Sequence, residues 1–263
     1  MTFDNLPGVP DFICNEYLQK KTKYCLLIPI INENGRIQLE LRRAMNAGVD
    51  KLADIIICDG GSTDGSTDSD SLKALGVNTL LTKTGPGKQG AQLRMGLWWA
   101  LERGYEGFVT IDGNNKDSIE DVPAFIEKLD DDYDFVQGSR FVKGGKAINT
   151  PAIRLIAVVC IHAPIISLTA KKRFTDTTNA FRAYSKKYIT HSEVQPFRDV
   201  FMTYELLAYL SVKASRLGLN TCEIPVTREY PKNEETPTKI KGIRGNGLLL
   251  RILFENASGK YDI

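Results

Sequence analysis

From residue 24 to residue 226, short apolar runs alternate with polar-faced stretches of helix length. The runs 24–31, 53–58, 77–81, 107–112, 135–138 and 221–226 predict strands, since each is rich in Ile, Val, Leu or Phe and ends at a polar or turn-forming cluster. The intervals 36–47, 89–103, 119–129 and 199–217 predict helices. Leu93, Leu97 and Ala100 share one face of the second. Strands separated by helix-length segments build βαβ units, so the expected class is α/β with a Rossmann-like, mostly parallel central sheet. Residues 231–247, rich in Pro, Lys, Thr and Gly, predict a mobile loop.

One stretch fits neither pattern. Residues 155–170 contain no Asp, Glu, Lys or Arg, and Pro164 interrupts them. They fall short of the roughly 20 residues that span a bilayer. Arg154 precedes the run and Lys171-Lys172-Arg173 follows it. Two readings stand: a core helix hairpin broken at Pro164, or an interfacial segment lying near anionic lipid.

Composition narrows the class. The chain has 263 residues, 42% of them hydrophobic and 25% charged, which is ordinary for a soluble globular protein of one large or two small domains. A net charge of +2 gives no argument for nucleic acid. The five cysteines form no C-x-x-C pair. Cys25 and Cys58 sit inside apolar runs, which points to reduced thiols in a cytoplasmic protein. No basic-then-apolar signal opens the chain. Only two histidines, His162 and His191, argue against a His-based zinc site or a Ser-His-Asp triad.

Candidate chemistry gathers at strand ends. The run 107–112 ends in Asp112-Gly113-Asn114, and in an open α/β sheet ligands bind at that edge. A hard cation, Mg²⁺ or Mn²⁺, takes oxygen ligands there and completes its shell with phosphate and water. The tripeptide alone is also a good turn. Its neighbours are Pro29-Ile30-Ile31-Asn32-Glu33 at the end of the first run and Asp59-Gly60-Gly61-Ser62-Thr63-Asp64-Gly65 at the end of the second. Asp59 can accept hydrogen bonds from a nucleobase, and the glycines let backbone approach a ligand. The alternative for this loop is an ordinary strand-to-helix turn capped by Ser62 or Asp64. The first run lacks a following G-x-G-x-x-G, which excludes an NAD-dependent dehydrogenase. Gly87-Lys88-Gln89 fails the P-loop pattern. The Gly-rich, Arg-containing loop of a nucleotidylyltransferase is also absent.

With these motifs in order, the chain resembles glycosyltransferase family 2, inverting GT-A enzymes with nucleotide-sugar donors. Within it the resemblance is to the dolichyl- or polyprenyl-phosphate sugar transferases of the dolichol-phosphate mannose synthase type. Pro29 with Asn32-Glu33 matches Pro-x-x-Asn-Glu; Asp59 through Asp64 matches Asp-Asp-Gly-Ser-x-Asp; Asp112-Gly113-Asn114 stands for Asp-Ala-Asp, with Glu120 after it. Gly138-Ser139-Arg140-Phe141 matches Gly-Ser-Arg-Tyr. Asp176 with Ala180-Phe181-Arg182-Ala183-Tyr184 matches Asp-x-x-Ser-Gly-Phe-Arg-Ala-Tyr, and Glu223-Ile224-Pro225-Val226 matches Glu-Val-Pro-Ile.

The resemblance spans residues 23–230 and implies a GT-A domain there. Residues 1–22 then form an N-terminal extension, and 231–263 a loop and helical segment packing on the same domain. It implies nucleotide binding by Pro29, Ile31, Glu33, Asp59, Lys88 and Asp112, a metal on Asp112 and Asn114, and catalytic roles for Asp112, Arg140, Asp176 and Arg182. The implied reaction is inverting, metal-dependent sugar transfer from a UDP- or GDP-sugar to a polyprenyl or dolichyl phosphate. The alternatives are a hydroxyl acceptor, with Asp176 as general base, or a non-catalytic sugar-nucleotide-binding module.

The implied place is cytoplasmic, peripheral on the inner membrane surface. Lys88 and Arg94 are lesser anion candidates, with Arg94 alternatively decorating its helix. Lys239, Lys241 and Arg244 either close over the diphosphate or form a solvated basic loop. Departures from the pattern concentrate near the metal. Gly60 and Asn114 each replace an Asp, and Lys116 stands where Gln is frequent, either supplying charge to the diphosphate itself or leaving Asp117 to substitute as ligand. One residue is inserted at Gly87-Lys88-Gln89-Gly90.

Overall fold

The computed structural model describes residues 8–232 and 242–262. Its strands are β1 (Phe12–Glu16), β2 (Tyr24–Ile30), β3 (Asp54–Asp59), β4 (Val77–Lys83), β5 (Gly107–Thr110), β6 (Phe135–Ser139), β7 (Lys146–Ile148), β8 (Arg182–Ser185), β9 (Thr221–Pro225) and β10 (Thr227–Glu229). Strand β2 is buried along its whole length. Its side chains alternate between faces, so Cys25 and Leu27 enter one hydrophobic cluster while Leu26, Ile28 and Ile30 enter the other. The helices Gln89–Glu102 and Glu205–Arg216 contribute to the first cluster, and Arg36–Asn46 and Val122–Asp130 to the second. The sheet is thus sandwiched between two helical layers.

The eight-stranded sheet runs β1-β4-β3-β2-β5-β8-β6-β9. β4, β3, β2 and β5 pair in parallel, as do β6 and β9, whereas β1 and β8 run antiparallel to their neighbours. From β2 the chain steps outward to β3 and β4 and then returns to β5 on the other side of β2. That reversal is a topological switch point, where the strand-end loops diverge and leave a crevice. The loops after β2, β3 and β5 therefore face one place. β10 pairs with β7 in a small second sheet beside it.

The expected mostly parallel α/β sheet is present, with local corrections. The segment treated as an extension supplies β1, which covers the edge of β4 from Phe12 to Glu16. β8 was not anticipated as a strand; it is the reversed strand between β5 and β6. The helix expected over 199–217 is confined to Glu205–Arg216, with Thr203 donating its N–H and hydroxyl to the Glu205 carboxylate just before it. The loop expected over 231–247 ends sooner, because a helix runs Gly242–Ala257 and buries Ile252 and Leu253 in the first cluster. Lys239 and Lys241 lie outside the described residues, as does the Arg244 side chain.

The segment 155–170 is not a hairpin. Residues Ala152–Ala170 form one helix of 19 residues, roughly 28 Å at 1.5 Å per residue. Pro164 has no N–H to offer the carbonyl of Cys160, and the helix widens into a π-turn across Val158–His162 just before it. Val158, Ala163, Ile166 and Ala170 are buried. Ile153 (76% exposed), Ile156, Val159 and Leu168 (80% exposed) face solvent. Among the described residues no other helix combines such length with so apolar a sequence.

Candidate active site

Two strand-end loops are stitched together before any ligand arrives. Asn32, at φ 51°, donates its N–H to Ser62 Oγ at 2.9 Å and accepts the Thr63 N–H on its own Oδ1, at 2.9 Å. Asparagine tolerates this left-handed backbone better than most residues. The Glu33 N–H donates to Ser66 Oγ and the Asn34 N–H to Asp64 Oδ2. The spacing of both motifs is therefore explained by one another. Burial alone would raise the Asp64 carboxyl, but the hydroxyl and backbone donors from Ser66 and Asn34 hold it below its ordinary range.

Asp59 is buried and accepts from the Gly61 N–H at 2.9 Å, the Ser62 N–H at 3.0 Å and the Ser62 hydroxyl at 2.5 Å. Its carboxylate fixes its own turn, so a base would meet an already organised acceptor. Pro29 is buried in β2, Ile31 is exposed just beyond it, and buried Glu33 accepts from Arg36 Nε at 2.6 Å. Lys88 has an exposed side chain, and its N–H holds the Met202 carbonyl at 2.7 Å. Gln92, one turn into the helix behind it, donates to the carbonyls of Ile30 and Cys58 and so ties the ends of β2 and β3.

Asp112 sits between three donors. Gln89 Nε2 reaches Oδ1 at 2.8 Å; Arg228 Nη2 and Asn114 Nδ2 reach Oδ2 at 3.2 and 3.4 Å. Gly113 is required beside it, since a Cβ there would lie 2.5 Å from Ile30 Cγ2 and 2.9 Å from Ile28 Cγ2. Asn115, at φ 57°, is held by its N–H on Glu40 Oε2 and by Arg43 Nη1 on its Oδ1, both at 2.8 Å. Glu120 is not in the site. It forms a two-point ion pair with Arg43 on the helix Arg36–Asn46.

The rest of this loop is clamped by β10. Glu229 N–H meets the Lys116 carbonyl, and Ser118 and Thr227 exchange hydrogen bonds. The Arg228 guanidinium bridges Asp112 and the fully buried Asp117. Burial raises the Asp117 carboxyl while Arg228 opposes it. Burial, then the charge of Arg228, lowers Lys116 to about 8. Tyr230 collects cations: Lys116 Nζ lies 5.1 Å from its ring centroid, and the guanidinium carbons of Arg154 and Arg228 each lie 5.8 Å away. Burial would raise the phenol, but Arg228, Lys116, Arg140 and Arg154 together bring it below its ordinary value.

Two anticipated catalytic groups meet each other. Arg140 Nε and Nη2 bind Asp176 Oδ2 and Oδ1 at 2.6 and 2.9 Å, and Arg140 Nη2 also reaches Thr178. Glu223 anchors this loop by accepting from the N–H groups of Thr175 and Asp176. Arg182 lies elsewhere. Its guanidinium donates to the carbonyls of Asn179, Leu207 and Thr177 and to Ser211 Oγ. The arginine expected to be catalytic thus has its guanidinium engaged inside the fold, on the turn before β8 and the helix Glu205–Arg216. Arg94 neither decorates its helix nor faces a ligand: it is buried, with its guanidinium on the Gly8 carbonyl and 3.4 Å from Met202 Sδ.

For a divalent ion the protein offers two hard oxygens, the Asp112 carboxylate and Asn114 Oδ1. The latter is buried and has no hydrogen-bond partner among the described residues. Two such ligands suit Mg²⁺ or Mn²⁺ with phosphate and water completing the shell. Among the described residues there is no cluster of three His, Cys, Asp or Glu side chains arranged for a metal. A cleft of about 430 Å³ opens beside this loop, lined in part by Arg36, Arg43, Asn114, Asn115, Lys116 and Thr227. Neither Asp59 nor Asp112 lines it.

Gln89, Gln92, Glu40, Arg228 and Tyr230 were not singled out in the sequence. For Gln89 a signal existed, the extra residue in the Lys88 loop. Arg228 lies in β10 and Tyr230 directly after it, and no local pattern announces the place of that strand beside Asp117.

No protein-family model matches the chain. Individual relatives do. The undecaprenyl-phosphate mannosyltransferase of Micrococcus luteus is 30% identical over 220 residues, covering 82% of this chain and 86% of the relative. The polyprenol monophosphomannose synthase of Mycolicibacterium smegmatis is 24% identical over 248 residues, covering 90% of this chain and 88% of the relative. Among solved structures, glucosyl-3-phosphoglycerate synthase from Mycobacterium tuberculosis, in complex with Mn²⁺ and UDP-glucose, superimposes with a TM-score of 0.62 at 17% identity, over 89% of this chain and 79% of that one. That likeness shows the fold. The loops after β2, β3 and β5, the sheet that presents them and the mannosyltransferase relatives agree: the chain belongs to glycosyltransferase family 2, in its dolichol-phosphate mannose synthase-like branch, and is a glycosyltransferase.

Proposed function

We propose that this glycosyltransferase moves a hexose from a nucleoside-diphosphate sugar to a polyprenyl phosphate, with inversion at the anomeric carbon. The observation that carries the acceptor is the helix Ala152–Ala170. Its apolar face is exposed, and Arg154 in its first turn stands over Tyr230 beside Lys116 and Arg228. A prenyl chain lying along that face would bring its phosphate to the cations. The M. luteus and M. smegmatis relatives, by name, work on undecaprenyl phosphate and polyprenol, which supports the same class.

The chemistry follows from the charges. An acceptor phosphate oxygen attacks the anomeric carbon from the face opposite the diphosphate. The bond from that carbon to the diphosphate oxygen breaks, and its electron pair leaves with the nucleoside diphosphate. The attacking oxygen is already anionic, so no base need remove a proton. The bidentate engagement of Asp176 by Arg140 agrees with this, because both carboxylate oxygens are already taken by the guanidinium.

Asp112 and Asn114 are assigned to Mg²⁺ or Mn²⁺, which when bound acts as a Lewis acid on the leaving diphosphate. The loops holding Pro29, Ile31, Glu33 and Asp59 are assigned to the nucleoside, and Lys88 to its phosphates. Arg140 is assigned to the acceptor side, held by Asp176, and Arg182 to positioning the 176–179 turn. The flanking Lys171-Lys172-Arg173 and the exposed apolar face fit a peripheral place on an anionic membrane surface.

The test combines thermal shift with UDP- and GDP-sugars, with and without Mn²⁺, and transfer of labelled sugar to undecaprenyl phosphate in detergent. One donor class should raise the melting temperature and label the lipid. Labelling of a hydroxyl acceptor but never of the lipid phosphate would overturn the acceptor assignment.

A further inference from the structure

The loop expected to hold the ion already holds a cation. Arg228 Nη2 stands 3.2 Å from Asp112 Oδ2, and its other terminal nitrogen is paired with Asp117. The side chain is buried, and a backbone bridge between Asp117 and Arg228 fixes it in place. Asp117 keeps one buried oxygen, Oδ1, without a hydrogen-bond partner among the described residues. Lys116, also buried, holds its Nζ 5.1 Å from the ring centroid of Tyr230, which Arg228 also faces. Position 114 offers a neutral amide oxygen. Asp112 and Asp117 are thus balanced by Lys116 and Arg228 before any ligand arrives.

We propose that Arg228 is a resident counter-ion of Asp112 that competes with the divalent ion, and that Arg228 and Lys116 supply part of the positive charge the leaving diphosphate requires. This rests on the nucleotide-sugar reading above. A divalent ion at Asp112 meets the like charge of the guanidinium, so its binding is weakened. In return the guanidinium, planar and rich in donors, is already beside Asp112, the residue assigned to the ion that the diphosphate would meet. Preorganised cations stabilise charge that develops in a transition state without rearrangement at the moment of reaction. Sugar transfer therefore depends on metal less steeply than it would with two metal-binding carboxylates and no arginine.

The test reads Mn²⁺ binding directly, by the electron paramagnetic resonance signal of free Mn²⁺ titrated with the full chain. Three proteins are compared: the wild type, Arg228→Gln combined with Asp117→Asn, and Lys116→Gln. The double substitution removes both members of the buried pair, so neither charge is left uncompensated. The double variant should bind Mn²⁺ at least tenfold more tightly than the wild type. In EDTA the wild type should keep a tenth or more of its Mn²⁺-supported transfer, and Lys116→Gln should lose that EDTA-resistant share more than its Mn²⁺-supported share. Equal Mn²⁺ affinity in wild type and double variant, or complete loss of wild-type transfer in EDTA, overturns the proposal. If circular dichroism shows the double variant unfolded, the EDTA comparison of wild type with Lys116→Gln decides alone. A chain that transfers no sugar under any condition overturns the function, and the Mn²⁺ titration still decides the role of Arg228.

Discussion

Arg140 and Asp176 form a buried two-point ion pair, Nε to Oδ2 at 2.6 Å and Nη2 to Oδ1 at 2.9 Å. One partner directly follows β6 and the other lies in the turn before β8, so the pair ties that turn to the sheet. Removing one partner of such a pair strands the other charge in the interior, at a cost of about 3–5 kcal/mol. Asp176→Asn should lower stability by that order in urea denaturation and reduce transfer. A loss below about 1 kcal/mol would mean that the pair is not the strut it resembles.

Asp112→Ala removes the carboxylate on which Gln89, Asn114 and Arg228 converge. Arg228 retains Asp117, so the fold should persist. Turnover should fall below what EDTA leaves in the wild type, because the carboxylate assigned to the ion and the anchor of Gln89 and Arg228 are lost together, and lost electrostatic stabilisation of a transition state is felt at about 10²-fold or more. Initial rates with labelled donor, alongside a thermal melt, check this. Near-normal turnover in a folded variant removes Asp112 from the reaction.

The parallel strands were legible because each is a buried run ending in turn residues, and βαβ order follows from their spacing. β8 was hidden because the residues that form it, Arg182–Ser185, also read as a functional motif, and a strand of four residues carries little periodicity. The strand-end placement of Asp59 and Asp112 was legible, because a motif sits there. Contacts made by pairing across the fold were not. Nothing near residue 228 announces that its arginine will reach Asp112, more than a hundred residues earlier. Nor does the segment 155–170 reveal that Pro164 is absorbed by a π-turn, because a proline in an apolar run reads equally well as a break.

Glu40 is fully buried, with Oε2 on the Asn115 N–H and Oε1 without a hydrogen-bond partner among the described residues. Burial holds its carboxyl well above the ordinary range; the Asn115 N–H opposes that, while Asp117 and Asp112 add to it. A carboxyl whose folded value is raised gives stability that is full below its unfolded value and is lost as pH rises through the folded value. Glu40→Gln keeps an acceptor for Asn115 and cannot ionise. Its melting temperature relative to wild type should therefore climb as pH increases from 4.5, reaching a gain of roughly 2–4 °C for each kcal/mol recovered. A difference that stays flat or shrinks with rising pH contradicts this account.

Ile153, Ile156 and Leu168 are the exposed apolar side chains through which the helix Ala152–Ala170 should meet lipid. Fully burying each is worth about 1.5–3 kcal/mol, and partial insertion delivers a fraction of that. Changing all three to Ser leaves the inward-facing Val158, Ala163, Ile166 and Ala170 untouched, so folding should survive. Partitioning onto phosphatidylglycerol vesicles, followed by sedimentation, should weaken at least tenfold. The remaining attraction, carried by Lys171, Lys172 and Arg173, should be abolished by salt, as surface electrostatics are. Partitioning that is unchanged in the triple variant would mean that the apolar face meets something other than a bilayer, and a lipid-phosphate acceptor would lose its principal support.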